Sequence, residues 1–202
     1  MPFVRSAVVG LLTSALVPLA SQAELSADTL RRKLVAAAME RADLPVRYDG
    51  AYVRMAYPGG DVPGGTGVCT DEIIRVYRRI GIDLQQRVHE DMQRAFTAYP
   101  TNWGLTRPDS NIDHRRVPNL QTFFRRHGET LPVSRDPRRY LPGDLVTWDL
   151  GAGVPHIGIV VDRRSREGAR HQILHNIGAG PKVEDVLFAW RITGHFRYLP
   201  AE

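Results

Sequence analysis

Apolar residues recur every three or four positions in the first two-thirds of the chain and every second position in the last third. Leu30, Leu34, Ala37 and Ala38 form one stripe, which predicts a helix over about 28–41 capped by Ser26 or Asp28. Ile73, Ile74, Tyr77 and Ile80 repeat at the same spacing. A second helix is therefore expected from near Gly67 to Gly81, a glycine suited to the position after a helix end. A short third helix is expected from about Asp91 to Tyr99, stopped by Pro100. A fourth begins at Pro118, turns Leu120, Phe123 and Phe124 inward and ends at Gly128. The stretch from Pro45 to Gly67 is rich in Gly, Pro and Tyr and reads as irregular loop.

Beyond Gly128 the texture becomes β. Leu145–Trp148, His156–Val161, Gln172–Ile177 and Arg191–Tyr198 read as four strands, with Gly, Pro and charged residues between them. Helices first and strands afterwards predict an α+β domain, its N-terminal helices packed on a C-terminal antiparallel sheet. No repeat or low-complexity linker divides the chain, so residues 24–202 are read as a single domain.

Residues 1–23 read as a signal peptide. Arg5 gives a basic start, Ala7–Leu19 an apolar run, and Ser21-Gln22-Ala23 small residues where a signal peptidase cuts. Ser14 and Pro18 interrupt the run, which is short for a bilayer span. The mature protein is expected to start near Glu24, to be periplasmic or secreted, and to have no stable membrane insertion once the signal is removed. Composition, at 43% hydrophobic and 24% charged, is that of an ordinary globular chain. The net charge of +5 favours an anionic envelope polymer or lipid surface as partner. Nucleic acid fits poorly, because the arginines are scattered or paired and the chain is expected to be exported.

Export gives the chain's single cysteine its interest. Exported proteins usually carry cysteines in disulfide pairs, and Cys69 has no partner within the chain. It falls in the first turn of the second helix, where free N–H groups and the positive end of the dipole favour a thiolate. Gly64, Gly65 and Gly67 allow the backbone to approach a ligand closely. These features leave two readings open, a nucleophile and a buried structural thiol. A nucleophilic thiol needs a base. Of seven histidines, His156 opens an apolar strand and His175 lies within the next. On antiparallel neighbours, His175 can sit beside His156 and orient its ring, while Asn176 points to the opposite face. Gly158 removes bulk beside the His156 imidazole and is expected to leave room for substrate.

Other chemistries find little footing. There is no His-Glu-x-x-His spacing and no cysteine pair, so no metal site is expected. No phosphate-cradling loop and no Gly-x-Ser-x-Gly motif occurs, and no cofactor is needed. Asp109, Asn111, Asp113, His114, Arg115 and Arg116 crowd into one short loop. Arg115 or Arg116 is suited to hold a substrate carboxylate in two-point fashion. The alternative is a surface loop in which Asp113 and the arginines satisfy one another.

One order of segments carries a resemblance. A cysteine at a helix start is followed by Leu141-Pro142-Gly143-Asp144-Leu145-Val146, then Pro155-His156-Ile157-Gly158-Ile159-Val160, then Ile173-Leu174-His175-Asn176. This resembles the NlpC/P60 group of papain-like cysteine peptidases. Over about Val46–Pro200 the chain is more closely similar to the bacterial family DUF1287. Gly67-Val68-Cys69-Thr70-Asp71, Val88-His89-Glu90-Asp91-Met92, Asn111-Ile112-Asp113-His114-Arg115-Arg116-Val117-Pro118-Asn119-Leu120 and His175-Asn176-Ile177-Gly178 carry that similarity. The resemblance implies a papain-like NlpC/P60-type fold, with Cys69 as nucleophile, His156 as base and later acid, and His175 as the residue orienting it. Asn176 is the alternative orienting residue, and Tyr57 matches a tyrosine near the oxyanion site. The implied activity is hydrolysis of an amide bond, with peptidoglycan stem or cross-link peptides as the expected substrate. A catalytically silent wall-binding module and an acyl or amide transferase are the alternatives. Two departures stand out. Val68-Cys69-Thr70-Asp71 replaces the Asp-Cys-Ser-Gly common in those peptidases. The interval to His156 is also wide, which points to a helical insertion at about 85–130.

Overall fold

The structure, a computed structural model, describes residues 19–200, with side chains from residue 26. Helix α1 (Leu19–Arg41) buries Leu34, Val35, Ala37 and Ala38 against α2 (Cys69–Arg79). It begins before the expected start at 28 and crosses the expected cleavage position. The remainder of the expected signal segment, residues 1–18, lies outside the described residues. None of the described helices is long and apolar enough to cross a membrane.

The stretch expected to be irregular contains a small parallel pair. Strand β1 (Arg47–Tyr48) runs beside β2 (Thr66–Gly67), and β2 leads directly into α2. At this entry a Cβ on Gly67 would lie 3.1 Å from the Asp71 Cβ and 3.1 Å from an Arg75 guanidinium nitrogen, so a bare backbone suits the junction. The next residue, Val68, donates its N–H to the Asp71 carboxylate at 2.7 Å, which ties down the first turn of α2.

Helix α3 (Leu84–Ala95) starts earlier than the expected Asp91. Asp83 caps it, its carboxylate accepting the Gln85 N–H at 3.0 Å, and a 3₁₀ turn over Phe96–Ala98 ends it. Helix α4 (Val117–His127) follows with a proline in its first turn. The buried Asp91 carboxylate joins the two helices, accepting from the Tyr99 hydroxyl at 2.6 Å and Arg126 Nε at 2.7 Å, with His127 Nε2 at 2.8 Å.

The rest is one antiparallel sheet of six strands in the order β3-β8-β4-β5-β6-β7. These are β3 (Glu129–Thr130), β4 (Leu145–Asp149), β5 (Pro155–Arg164), β6 (His171–Asn176), β7 (Pro181–Glu184) and β8 (Arg191–Arg197). The four expected strands form its centre, and β3 and β7 add short edges. The architecture is therefore α+β, with helices on one face of an antiparallel sheet. Asp144 pins the entry to β4: its carboxylate accepts from the Leu141 N–H at 2.9 Å and Arg197 Nε at 2.8 Å, with His195 Nε2 at 2.9 Å.

Alternation along the strands separates two layers. Leu145, Ile157, Ile159, Leu174 and Phe196 face the helices in a core that includes Cys69, Ile73, Tyr77 and Phe124. Val146, Trp148, Val160 and Ile173 face the other way, under Tyr140 and Leu187, with Phe188 and Trp190 packed against them. The Trp148 indole N–H donates to the Leu187 carbonyl at 3.0 Å and fastens this covering segment.

Candidate active site

The Cys69 sulfur lies at the first residue of α2 and is 4% exposed. The N–H groups of Ile157, Thr70 and Cys69 itself point toward it and favour the thiolate. Burial opposes them more strongly and the Asp71 charge adds to it, so the thiol is pushed up to about 11. This corrects the sequence expectation of an ionised sulfur. The helix-start donors are present, but desolvation outweighs them.

Strand β5 brings the imidazole. His156 immediately precedes Ile157, whose N–H faces the sulfur, so thiol contact and imidazole occupy consecutive main-chain positions. The His156 ring projects from the sheet face away from α2, against Trp148 and Trp190 at ring-centre distances of 5.9 and 6.0 Å. No hydrogen bond between this ring and the Cys69 sulfur occurs among the described residues. Nε2 of His156 lies 2.9 Å from Nδ1 of His175, and Nε2 of His175 lies 3.0 Å from Glu184 Oε2. Trp190 also touches His175, so one indole covers both rings. Gly158 permits this arrangement in a way the sequence reading did not foresee. A Cβ there would lie 2.5 Å from the Ile173 side chain and 3.2 Å from the His175 Cβ. The missing side chain lets β5 close on β6; it does not open space for substrate.

Burial, and then the neighbouring His175, push His156 down to about 3. Burial, and then the adjacent Arg115, push His114 down to about 4. Both stay neutral in the fold while an unfolded histidine binds a proton near 6.5. Stability is therefore lost as pH falls from 6.5 toward those values, by up to about 1.4 kcal/mol per unit for each ring. Asp113 opposes this: burial raises it to about 6, so the fold binds its proton first. Lowering the pH from 7 to 5 is expected to cost on the order of 2–3 kcal/mol net. Urea unfolding at the two pH values checks this, and equal or greater stability at pH 5 contradicts it.

The other expected site residues lie elsewhere. Tyr57 is 41% exposed and packs edge-on against His89, with ring centres 4.9 Å apart, so it is not the tyrosine beside the sulfur. Tyr48 takes that place, with its hydroxyl toward Cys69. Burial, the thiol and Asp71 together raise it to about 12. Arg115 is buried and fully engaged: Nε donates to Asp71 Oδ1 at 2.8 Å, Nη2 to Oδ2 at 3.1 Å, and Nη1 to the Ala51 carbonyl at 2.8 Å. It supports the start of α2 and is not available to a substrate carboxylate. It does not pair with Asp113 either, and the loop is buried at Asp113, His114 and Arg115. Arg116 lies over the Trp103 ring, 4.1 Å from its centre. Asn176 turns to the helix side, where Nδ2 donates to the Gly67 carbonyl at 3.4 Å, leaving His175 as the neighbour of His156. No group of three His, Cys, Asp or Glu side chains among the described residues is placed to hold a metal ion.

The family comparison agrees with the resemblance read from the sequence. The family model described as "Domain of unknown function (DUF1287)" matches residues 35–198. The chain belongs to the DUF1287 family. A family relative from Escherichia coli (strain K12), described as "Uncharacterized protein YijF", is 56% identical over 151 residues, 75% of this chain and 73% of that protein. Among solved structures, a Staphylococcus aureus protein titled as similar to a lipoprotein of the NLP/P60 family superposes with a TM-score of 0.43 at 16% identity. That superposition covers 86% of this chain and 43% of the other, so the DUF1287 chain spans under half of it.

Proposed function

We propose that this DUF1287 protein is an exported cysteine hydrolase that cleaves an amide bond, with peptidoglycan peptides as its substrate class. The observation supporting this is the bonded series of two buried imidazoles, His156 and His175, ending on the half-exposed Glu184, which begins one residue from the N–H facing the only cysteine. Burying two linked imidazoles carries a desolvation cost that an apolar pair would avoid, and a role in proton transfer accounts for it. The expected export and a charge of +5, which becomes 5 − 1 = +4 once Arg5 leaves with the signal, suit an acidic wall polymer.

The resting pair is neutral thiol and neutral imidazole. In this structure the His156 ring and the sulfur lie on opposite faces of the sheet, so the reading requires the start of β5 to turn and bring the ring to the α2 side when substrate binds. After that turn, sulfur attacks the carbonyl carbon while its proton passes to the free ring nitrogen of His156. The carbonyl oxygen takes up the negative charge, facing the N–H groups at the start of α2 and the Tyr48 hydroxyl. As the C–N bond breaks, the amine takes the proton from His156 and leaves an acyl-enzyme. Water then attacks the acyl carbon while His156 takes its proton; the C–S bond breaks, the carboxylic acid product leaves, and the sulfur takes the proton back from His156. Incubating purified sacculi with the protein and analysing released peptides by mass spectrometry tests the reading. New peptide ends support it, and intact sacculi at every pH tried refute it. Tyr48→Phe is expected to lower kcat on the order of 10²-fold with an unchanged melting curve. Unchanged kcat removes Tyr48 from the oxyanion site.

One observation favours a second reading, a wall-binding module with a silent site: the sulfur is buried and held neutral. That reading predicts retention on sacculi without new ends. Transfer in place of hydrolysis would appear as ends carrying an added amine.

A further inference from the structure

Two neutral imidazoles in series share a problem, because each has one N–H and one lone pair. The 2.9 Å contact between His156 Nε2 and His175 Nδ1 needs one donor and one acceptor, and the rings alone permit either direction. The choice is made on the neighbouring strand. In the β6–β7 register His175 lies opposite Lys182, and Glu184 is the diagonal neighbour, within reach of a long side chain. Its Oε2 is 3.0 Å from His175 Nε2. Lys182 is engaged with Asp43 at 2.8 Å and does not compete for that carboxylate. An ionised carboxylate only accepts hydrogen bonds. The proton of His175 is therefore held on Nε2, and its Nδ1 is bare. His156 must then donate through Nε2, and its own lone pair is left on Nδ1.

We infer that Glu184 is a positioning residue that fixes the tautomers of both rings and leaves the His156 lone pair on Nδ1. Its use in catalysis rests on the reading of His156 as the base; the tautomer assignment rests on the bonded series alone. Glu184 acts from the rim, being about half exposed, while both rings are buried. When the thiol proton arrives on Nδ1, His156 becomes an imidazolium hydrogen-bonded, through His175, to a full negative charge. No other proton need move. Asn176, on the opposite face of β6, does not touch either ring nitrogen and cannot substitute.

Long-range proton–nitrogen NMR of histidine-labelled protein at pH 8 tests this without a substrate, with His156→Gln and His175→Gln spectra assigning the peaks. In the intact protein, both rings are expected to show a protonated, pyrrole-type Nε2 and a bare, pyridine-type Nδ1. In Glu184→Ala, a second tautomer with the His156 proton on Nδ1 is expected to appear. A bare Nε2 on His156 in the intact protein overturns the inference. So does a folded Glu184→Ala variant whose ring shifts are unchanged. Should that variant misfold, the intact spectrum still decides. Failure of the hydrolase reading shows separately, as sacculi left intact by a protein whose rings have the expected tautomers.

Discussion

Cys69→Ala protein releases no new peptide ends from sacculi and still melts as one cooperative unit. Removing a nucleophile lowers turnover on the order of 10⁶-fold, which here means below detection. The fold changes little, because one sulfur atom is lost at the edge of a core that the aromatic rings of Tyr77, Phe123, Phe124 and Tyr198 hold together. A cost of about 1 kcal/mol is expected for the small void and the N–H groups left facing it. Release of ends at more than a tenth of the normal rate would show that Cys69 is not the nucleophile. Loss of the cooperative transition would show that the thiol is structural.

Arg115→Ala is expected to be the most damaging change outside the aromatic core. It removes the bidentate partner of Asp71, and both side chains are almost completely buried. An ion pair of this kind broken from one side costs about 3–5 kcal/mol, because a charge remains in the interior without compensation. The Ala51 and Asp49 carbonyls lose their donor as well. Arg115→Lys restores little, since a single ammonium cannot span both carboxylate oxygens and two carbonyls. Urea denaturation of the three proteins measures this. A loss under 1 kcal/mol for the alanine variant would mean that Asp71 finds water or another cation.

Periodicity made most of the fold legible, and the reasons for the exceptions are local. The start of α3 was placed too late because Leu84-Gln85-Gln86-Arg87 is polar on its outer side, although the Asp83 cap was there to be read. β7 is only four residues and opens on a proline. Cys69 and His156 were singled out by residue type at element starts and His175 by its place within the following strand, and the structure brings the two imidazoles together. The protonation of the thiol was not legible, because burial is decided by parts of the chain far away in sequence. Arg115 looked like a surface charge among other charges, yet its partner lies 44 residues upstream. Tyr48 sits in a stretch without periodicity, and only the pairing of β1 with β2 carries it to the sulfur. Glu184 was missed with β7, since a diagonal pair across strands leaves no trace in spacing.

One guanidinium in this fold touches three separate stretches: the opening turn of α2, the backbone at 49–51 and, as its own anchor, the 113–116 turn. Those stretches are therefore not free to drift apart over generations. A substitution that suits one disturbs the seat of the others. Diversification within such a lineage falls to exposed positions away from that frame, such as Val154 and Ile177, where side chains change without moving it.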